Sequence, residues 1–346
     1  MRISYKAIMQ IGFTYIGTVV GAGFASGQEI FRFVTCFGDK SYLIIAVAVL
    51  LFMIVGTKIM LLASRMQTTS YDAFNEYVFG RTAGAWINLT TLLILICITG
   101  VMLAGTAALF NQQINGLGVP GVAVTVLILY LVATRGMNAV MAINTIVVPV
   151  MLLFSVLIGI ATLGSGRVAT TFPSSAPDSD LWMLSPFLYA AFNLTLALAV
   201  LVPLGSEFED RRTIIAGGIV GGIGLGVLLW LSDFVLAAHL PQIEGSEIPM
   251  AVIVANFGPL AQWLFSLVIF GEIFTTLAGN VFGITRQLRR LFPSSVTERT
   301  LIIGLLAICC FISQFGFSAL VHHLYPLFGI VGCITLLLMF MKKKPV

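Results

Sequence analysis

The sequence predicts an all-α polytopic membrane protein with ten transmembrane helices. Three observations predict it. Only 9% of the 346 residues are charged and 59% are hydrophobic, with a mean hydropathy of +1.05. A soluble domain carries about a quarter charged residues, so the outer surface of this chain must meet lipid. Ten apolar stretches approach the roughly 20 residues that cross a hydrocarbon core about 30 Å thick. The basic residues fall on one side of those stretches.

The spans read as 8–37, 41–64, 84–111, 119–134, 137–163, 183–206, 212–237, 258–285, 299–315 and 317–341. The first is long and interrupted, and the fourth is short. Arg2 and Lys6 precede an apolar run with no signal cleavage site, which predicts a retained first helix. With the N-terminus inside, fifteen of the eighteen lysines and arginines are cytoplasmic, Lys40 and Arg167 are outside, and Arg32 lies within the first span. This positive-inside bias supports the count of ten, with both termini cytoplasmic and the chain multi-pass in the cell membrane. The net charge of +4 is small, and the expected partners are the lipid bilayer and a small-molecule substrate, with no nucleic acid. No cofactor is expected beyond a coupling ion, Na+ or H+. The five cysteines, Cys36, Cys97, Cys309, Cys310 and Cys333, show no CxxC spacing and read as small core residues.

Long links join spans two to three (65–83) and seven to eight (238–257), and each contains a possible short helix, at 70–80 and 248–258. Links four–five and nine–ten are both very short. Two sets of five helices therefore share one spacing, and five is odd, so the second set starts from the opposite side of the membrane. That is an inverted repeat, the architecture of many secondary transporters. The expected units are a first repeat over 1–163, an extracellular linker over 164–182, rich in proline and serine, and a second repeat over 183–346.

The stretch GAGFASGQEIFRF (21–33) carries most of the functional signal. Gly21, Gly23 and Gly27 lie near the middle of the first span, and each lowers helix stability by about 1 kcal/mol against alanine. Ser26, Gln28, Glu29 and Arg32 stand among them. A charge at bilayer depth costs roughly 2.5–3.5 kcal/mol, which makes sense facing a cavity and none facing lipid. A helix unwound there exposes N–H groups that hold an anionic group and carbonyls that hold a cation. The competing reading is that the glycines only let helices pack closely, with Glu29 and Arg32 as a self-satisfied pair three residues apart. It explains the glycines but not the adjacent charges.

GAGFASGQEIFRF resembles the first-helix motif of the YkvI-like permeases, assigned to the amino acid–polyamine–organocation superfamily with the LeuT fold of five-plus-five inverted repeats. The resemblance implies alternating access and a small organic substrate, with amino acids or related compounds as the default. It also implies a discontinuous helix one and the same option for helix six. Substrate contacts are then expected at Gly21, Ala22, Gly23, Phe24, Ser26, Gly27 and Gln28. Arg32 and Phe33 resemble the Arg-Phe pair that helps close the outer gate of LeuT-like sodium symporters. Glu29 departs from that pattern, standing where an asparagine binds sodium, which keeps a proton-linked carboxylate open.

The sixth span, SPFLYAAFNLTLALAVLVPLG, carries a polar spot at Asn193 and Thr195 beside Phe192. These read as substrate contacts, or as hydrogen-bonding positions on a continuous helix. On the eighth span, Glu272, Thr275, Thr276 and Gly279 share one polar face. Thr275 and Thr276 resemble the hydroxyl pair that binds sodium with first-helix carbonyls in LeuT-like transporters, so a Na+ site is expected at Gly21, Ala22, Thr275 and Thr276. Back-bonding to their own helix is the alternative. Glu29 and Glu272 are buried carboxyl candidates for proton coupling. His322 and His323, adjacent on the tenth span, point about 100° apart and read as vestibule or packing residues. Thr99, Gly100, Thr106, Asn144 and Pro149 read as packing positions, and Asp233 as a water-reached position near the outer end of span seven.

A secondary transporter is the leading function. The others are an intramembrane hydrolase, with Ser26 in GFASG and a histidine base, and a channel. The hydrolase lacks an orienting acid or oxyanion pattern, and the channel lacks a pore ring. No enzyme activity is therefore expected.

Overall fold

The structure is a computed structural model that describes residues 5–68, 71–133, 137–164, 180–293 and 295–341. Most of the expected linker (165–179), and Arg2, Arg135, Arg167 and Lys342–Lys344, lie outside the described residues, as does the side chain of Asn144. The described chain is helical throughout, with no strand.

The first span comprises α1 (Tyr5–Val19), α2 (Ala22–Ser26) and α3 (Gln28–Phe33), followed by a 3-10 turn (Thr35–Lys40). The second is α4 (Ser41–Leu51) and α5 (Thr57–Met66), joined by a π-helical turn (Phe52–Gly56). A short helix, α6 (Tyr71–Phe79), precedes α7 (Arg81–Gln113), α8 (Gly118–Ala133) and α9 (Met137–Gly164). The second half runs α10 (Ser185–Ser206), α11 (Arg211–Ala238), the link helices α12 (Leu240–Ile243) and α13 (Pro249–Ala255), then α14 (Pro259–Leu291), α15 (Glu298–Ser313) and α16 (Phe317–Met341). Each expected span has a helical counterpart, and the short helices expected in both long links are present. Six helical stretches among the described residues are each long and apolar enough to cross a bilayer alone. The sixth span, where the sequence left a break open, is the unbroken α10; its Pro203 lies in the last turn.

Close packing explains the glycine-rich run of span seven. Gly217 faces Ile11 and Gly221 faces Tyr15 of α1, where added Cβ atoms would sit 2.6 Å from side-chain carbons. Gly218, Gly222 and Gly226 face Thr57, Met53 and Val49 of the second span. Small residues on both faces let α11 wedge between the two spans, as helix pairs in lipid require. Asp210 starts this helix by accepting from the N–H groups of Arg212 (3.4 Å) and Thr213 (3.1 Å). The π-turn leaves a carbonyl free at Phe52, and the buried Tyr15 hydroxyl donates to it at 2.8 Å. Thr99 and Thr106 back-bond within α7 at 2.7 and 3.1 Å, and Gly100 packs on Ile312, as packing positions do.

Candidate substrate and ion site

The first span breaks where its glycines predict. α1 ends with the N–H of Val20 bonded to the Ile16 carbonyl at 2.8 Å. Gly21 is extended (φ −122°, ψ −167°), and the next amide to bond back along the chain is that of Ala25, to the Gly21 carbonyl at 2.9 Å. The N–H groups of residues 21–24 and the carbonyls of 17–20 therefore have no helical partners. A second break follows at Gly27, which is left-handed (φ +79°). A side chain there would be strained by roughly 1–2 kcal/mol, and a Cβ would press on Met250 at 2.9 Å and Leu236 at 3.1 Å.

Glu29 folds back over this break. Its side chain is buried, and its carboxylate occupies the space a Cβ on Gly23 would need. The Asn193 amide of α10 faces it, and the fully buried Tyr189 and Tyr325 pack on the neighbouring Phe33 and Phe192. Arg32 is not among the groups acting on the Glu29 carboxyl, and its backbone carbonyl accepts from Cys36 Sγ at 3.1 Å. The self-satisfied Glu29–Arg32 pair is therefore not what the fold builds.

Of the two threonines expected at an ion site on span eight, Thr276 approaches the same break. Thr276 Oγ1 lies 3.4 Å from the Cβ position of Gly21. The Thr275 and Thr276 hydroxyls both donate to the Glu272 carbonyl, at 3.0 and 2.9 Å. Back-bonding is thus present, and each hydroxyl oxygen keeps its lone pairs as acceptors. Glu272 is 1% exposed, and its Oε1 has no hydrogen-bond partner among the described residues.

The other expected residues lie along the first span and on α10 and α16. Ser26 donates to the Gly23 carbonyl at 2.9 Å and accepts from the Gln28 N–H at 3.3 Å, with no histidine among these partners. Gln28 donates to Ser318 of α16 at 3.3 Å, and its buried Oε1 has no partner among the described residues. Phe33 packs on Tyr189 with ring centroids 5.7 Å apart, and its carbonyl accepts from Ser185 of α10. Phe192 stacks on Tyr325 at 4.5 Å. Asn193 donates to the Tyr189 carbonyl at 3.0 Å. Thr195 back-bonds to the Ala191 carbonyl at 2.7 Å and packs on Gly332 of α16, so its hydroxyl is taken up by helix packing. His322 and His323 are exposed and meet edge to face at 4.8 Å.

A crevice beside Phe24 and Ala25 is lined by Ser155, Ser232, Met250 and Phe265, with a volume of about 10 Å³. That is room for one water and none for an organic solute. Asp233 needs a correction: it is 4% exposed, buried where α11 packs on the link between the first two spans.

Comparison with known proteins bears directly on this arrangement. Over 345 residues the chain is 34% identical to the uncharacterized membrane protein YkvI of Bacillus subtilis (strain 168), covering 100% of this chain and 99% of the relative. The chain belongs to the YkvI family. YyaD, an uncharacterized protein of the same organism, is 22% identical over 330 residues, covering 95% of this chain and 94% of its own. No family model matches. In fold, this YkvI-family chain is similar to the inward-facing conformation of Mhp1, with a TM-score of 0.73 at 13% identity, over 94% of this chain and 73% of that one. It is also similar to Mhp1, a nucleobase-cation-symport-1 family transporter, in a closed conformation with bromovinylhydantoin bound (TM-score 0.64, 14% identity, 94% and 77% covered). The ten-helix LeuT-like fold with a discontinuous first helix is thereby established for the YkvI-family chain.

Sequence reasoning missed Tyr189 and Tyr325. Tyr189 was within reach, since it lies four residues before Asn193 on the same helix face. Tyr325, embedded in an apolar run, gives no such signal.

Proposed function

We propose that the chain is a secondary active transporter of a small organic solute, an amino acid or related compound, working by alternating access and coupled to Na+ or H+. The observation that carries this reading is the broken first span, with buried Glu29 lying over Gly23 and Thr276 beside Gly21. Unpaired backbone groups and a buried carboxyl in the middle of a bilayer are costly unless water, ion and ligand meet them.

In this mechanism, the carbonyls near Gly21 and Ala22 and the hydroxyls of Thr275 and Thr276 form an all-oxygen site suited to Na+. Glu29 and Glu272 are the groups that carry a proton in its place. The unwound segment from Gly21 to Gln28, with Phe192 and Asn193, contacts the solute. Phe33, packed on Tyr189, and Arg32 close the outer gate. Residues 1–163 and 183–346 act as two repeats rocking about this centre, joined by an extracellular linker (164–182), with both termini cytoplasmic in the cell membrane. Membership of the amino acid–polyamine–organocation superfamily fits the same frame.

The test is a thermal-shift screen of purified protein against amino acids, amines and small carboxylates, with and without sodium, followed by uptake of each hit into proteoliposomes. Saturable, gradient-driven uptake supports the reading. Ohmic currents, or hydrolysis that depends on Ser26, reject it.

A further inference from the structure

The two halves of α14 leave different faces open. In the half that starts at Pro259, Leu260, Trp263, Leu264 and Leu267 are exposed. They form one apolar stripe at helical spacing, as contact with lipid requires. In the half that ends at Leu291, the continuation of that stripe, Phe274, Ala278, Val281 and Thr285, is buried. The open surface there is Thr276, Gly279 and Gly283, each half-buried, and the exposed Arg286. Its centre lies roughly 130° round the helix from the first stripe, at about 100° per residue.

This second face holds no large apolar side chain. A Cβ on Gly279 or Gly283 would meet nothing within 4 Å beyond their own helix. The face begins at Thr276, whose hydroxyl lies beside Gly21 at the break in the first span. Of the first span's helices, α2 packs on α14, whereas α1 packs on α10 and α11. The surface from Thr276 to Arg286 therefore runs open from the break to the end of α14. Arg286 stands at that end, with its guanidinium 5.5 Å from the centroid of the Phe282 ring. It makes no ion pair among the described residues. A free guanidinium at the mouth of a groove draws in anions, pairs well with carboxylates and repels cations.

We propose that this face of α14 lines an aqueous route from the central site to one side of the membrane, and that Arg286 at its mouth selects solutes with an unbalanced carboxylate. The inference rests on the transport reading and narrows its substrate class to acidic solutes.

The experiment places one cysteine at Gly283, or at Gly279, in the full chain with its own five cysteines replaced by alanine. Oriented vesicles are treated on the Arg286 side with an anionic or a cationic methanethiosulfonate reagent, and each rate is divided by that on a free thiol in solution. Both reagents label both positions, and the anionic one is favoured by about tenfold, the low end of focusing in a charged cleft. Arg286→Gln brings the two normalised rates together, and Arg286→Lys keeps them apart. Labelling of neither position marks the face as dry or lipid-covered and overturns the proposal. Equal normalised rates in the parent, or a preference unchanged in Arg286→Gln, also overturn it. The labelling needs no transported solute. Failure of every carboxylate to be taken up, with the preference intact, therefore counts against the transport reading and leaves the charged route standing.

Discussion

The carboxylate of Glu29 lies where a methyl group on Gly23 would have to go. The glycine is therefore a seat for the carboxyl as well as a helix breaker. Gly23→Ala forces the Glu29 side chain out or shifts α2, and overpacking of this kind costs about 1–3 kcal/mol. Thermal unfolding in detergent is expected to drop accordingly, and uptake to be lost. Gly304→Ala, where a Cβ meets nothing within 4 Å, is the control and leaves both unchanged.

Glu29→Gln keeps the shape and removes the charge. The protein remains folded and inserted, because Asn193 can still face the amide. Coupled uptake falls by at least about tenfold, the equivalent of one charge-assisted hydrogen bond of roughly 1.5 kcal/mol or more. Uptake equal to the parent's removes Glu29 from the mechanism.

Thr275→Ala with Thr276→Ala removes both hydroxyls that converge on the Glu272 carbonyl. The sodium concentration for half-maximal uptake rises by roughly tenfold, with little change in fold, since each deleted bond was local to α14. A parent protein that transports equally well without sodium rejects this ion site and assigns coupling to protons.

At the far end of α14, Gln287 ties three elements together. It accepts from the Tyr71 hydroxyl at 2.7 Å and donates to the Asn88 carbonyl at 3.1 Å and to Asp72 at 3.4 Å. Asn75 extends the network by donating to Asn88 at 2.8 Å. Gln287→Leu leaves buried polar groups without partners and costs about 1–3 kcal/mol. Exchange at the amides of α6 is expected to accelerate, while exchange in α15 stays at the parent's rate.

The fold was legible because lipid imposes a strong rule: every stretch that crosses must be apolar and helical. Helix ends such as Ser41, Phe317 and Ser206 fall within a few residues of the apolar boundaries. The break at Gly21–Gly27 was legible for the same reason, since glycine and charge are conspicuous against leucine and valine. The facing of side chains was not. Thr195 read as a substrate contact beside Asn193, yet two residues along a helix turn it about 200° away, against Gly332 of α16. Asp233 looked solvated from its position near a helix end, but α11 packs there on the link between the first two spans. Such burial depends on a loop conformation that hydropathy does not encode.

The central claim is that the broken segment meets water from one side of the membrane at a time. Its most direct test places a single cysteine at residue 25, beside the crevice, in a chain whose own five cysteines are replaced by alanine. Membrane vesicles of known orientation are then treated with an impermeant thiol reagent on one face or the other. The account predicts labelling from each face, with sodium raising the rate from one and lowering it from the other. Labelling from neither face, or equal labelling from both regardless of sodium, contradicts it.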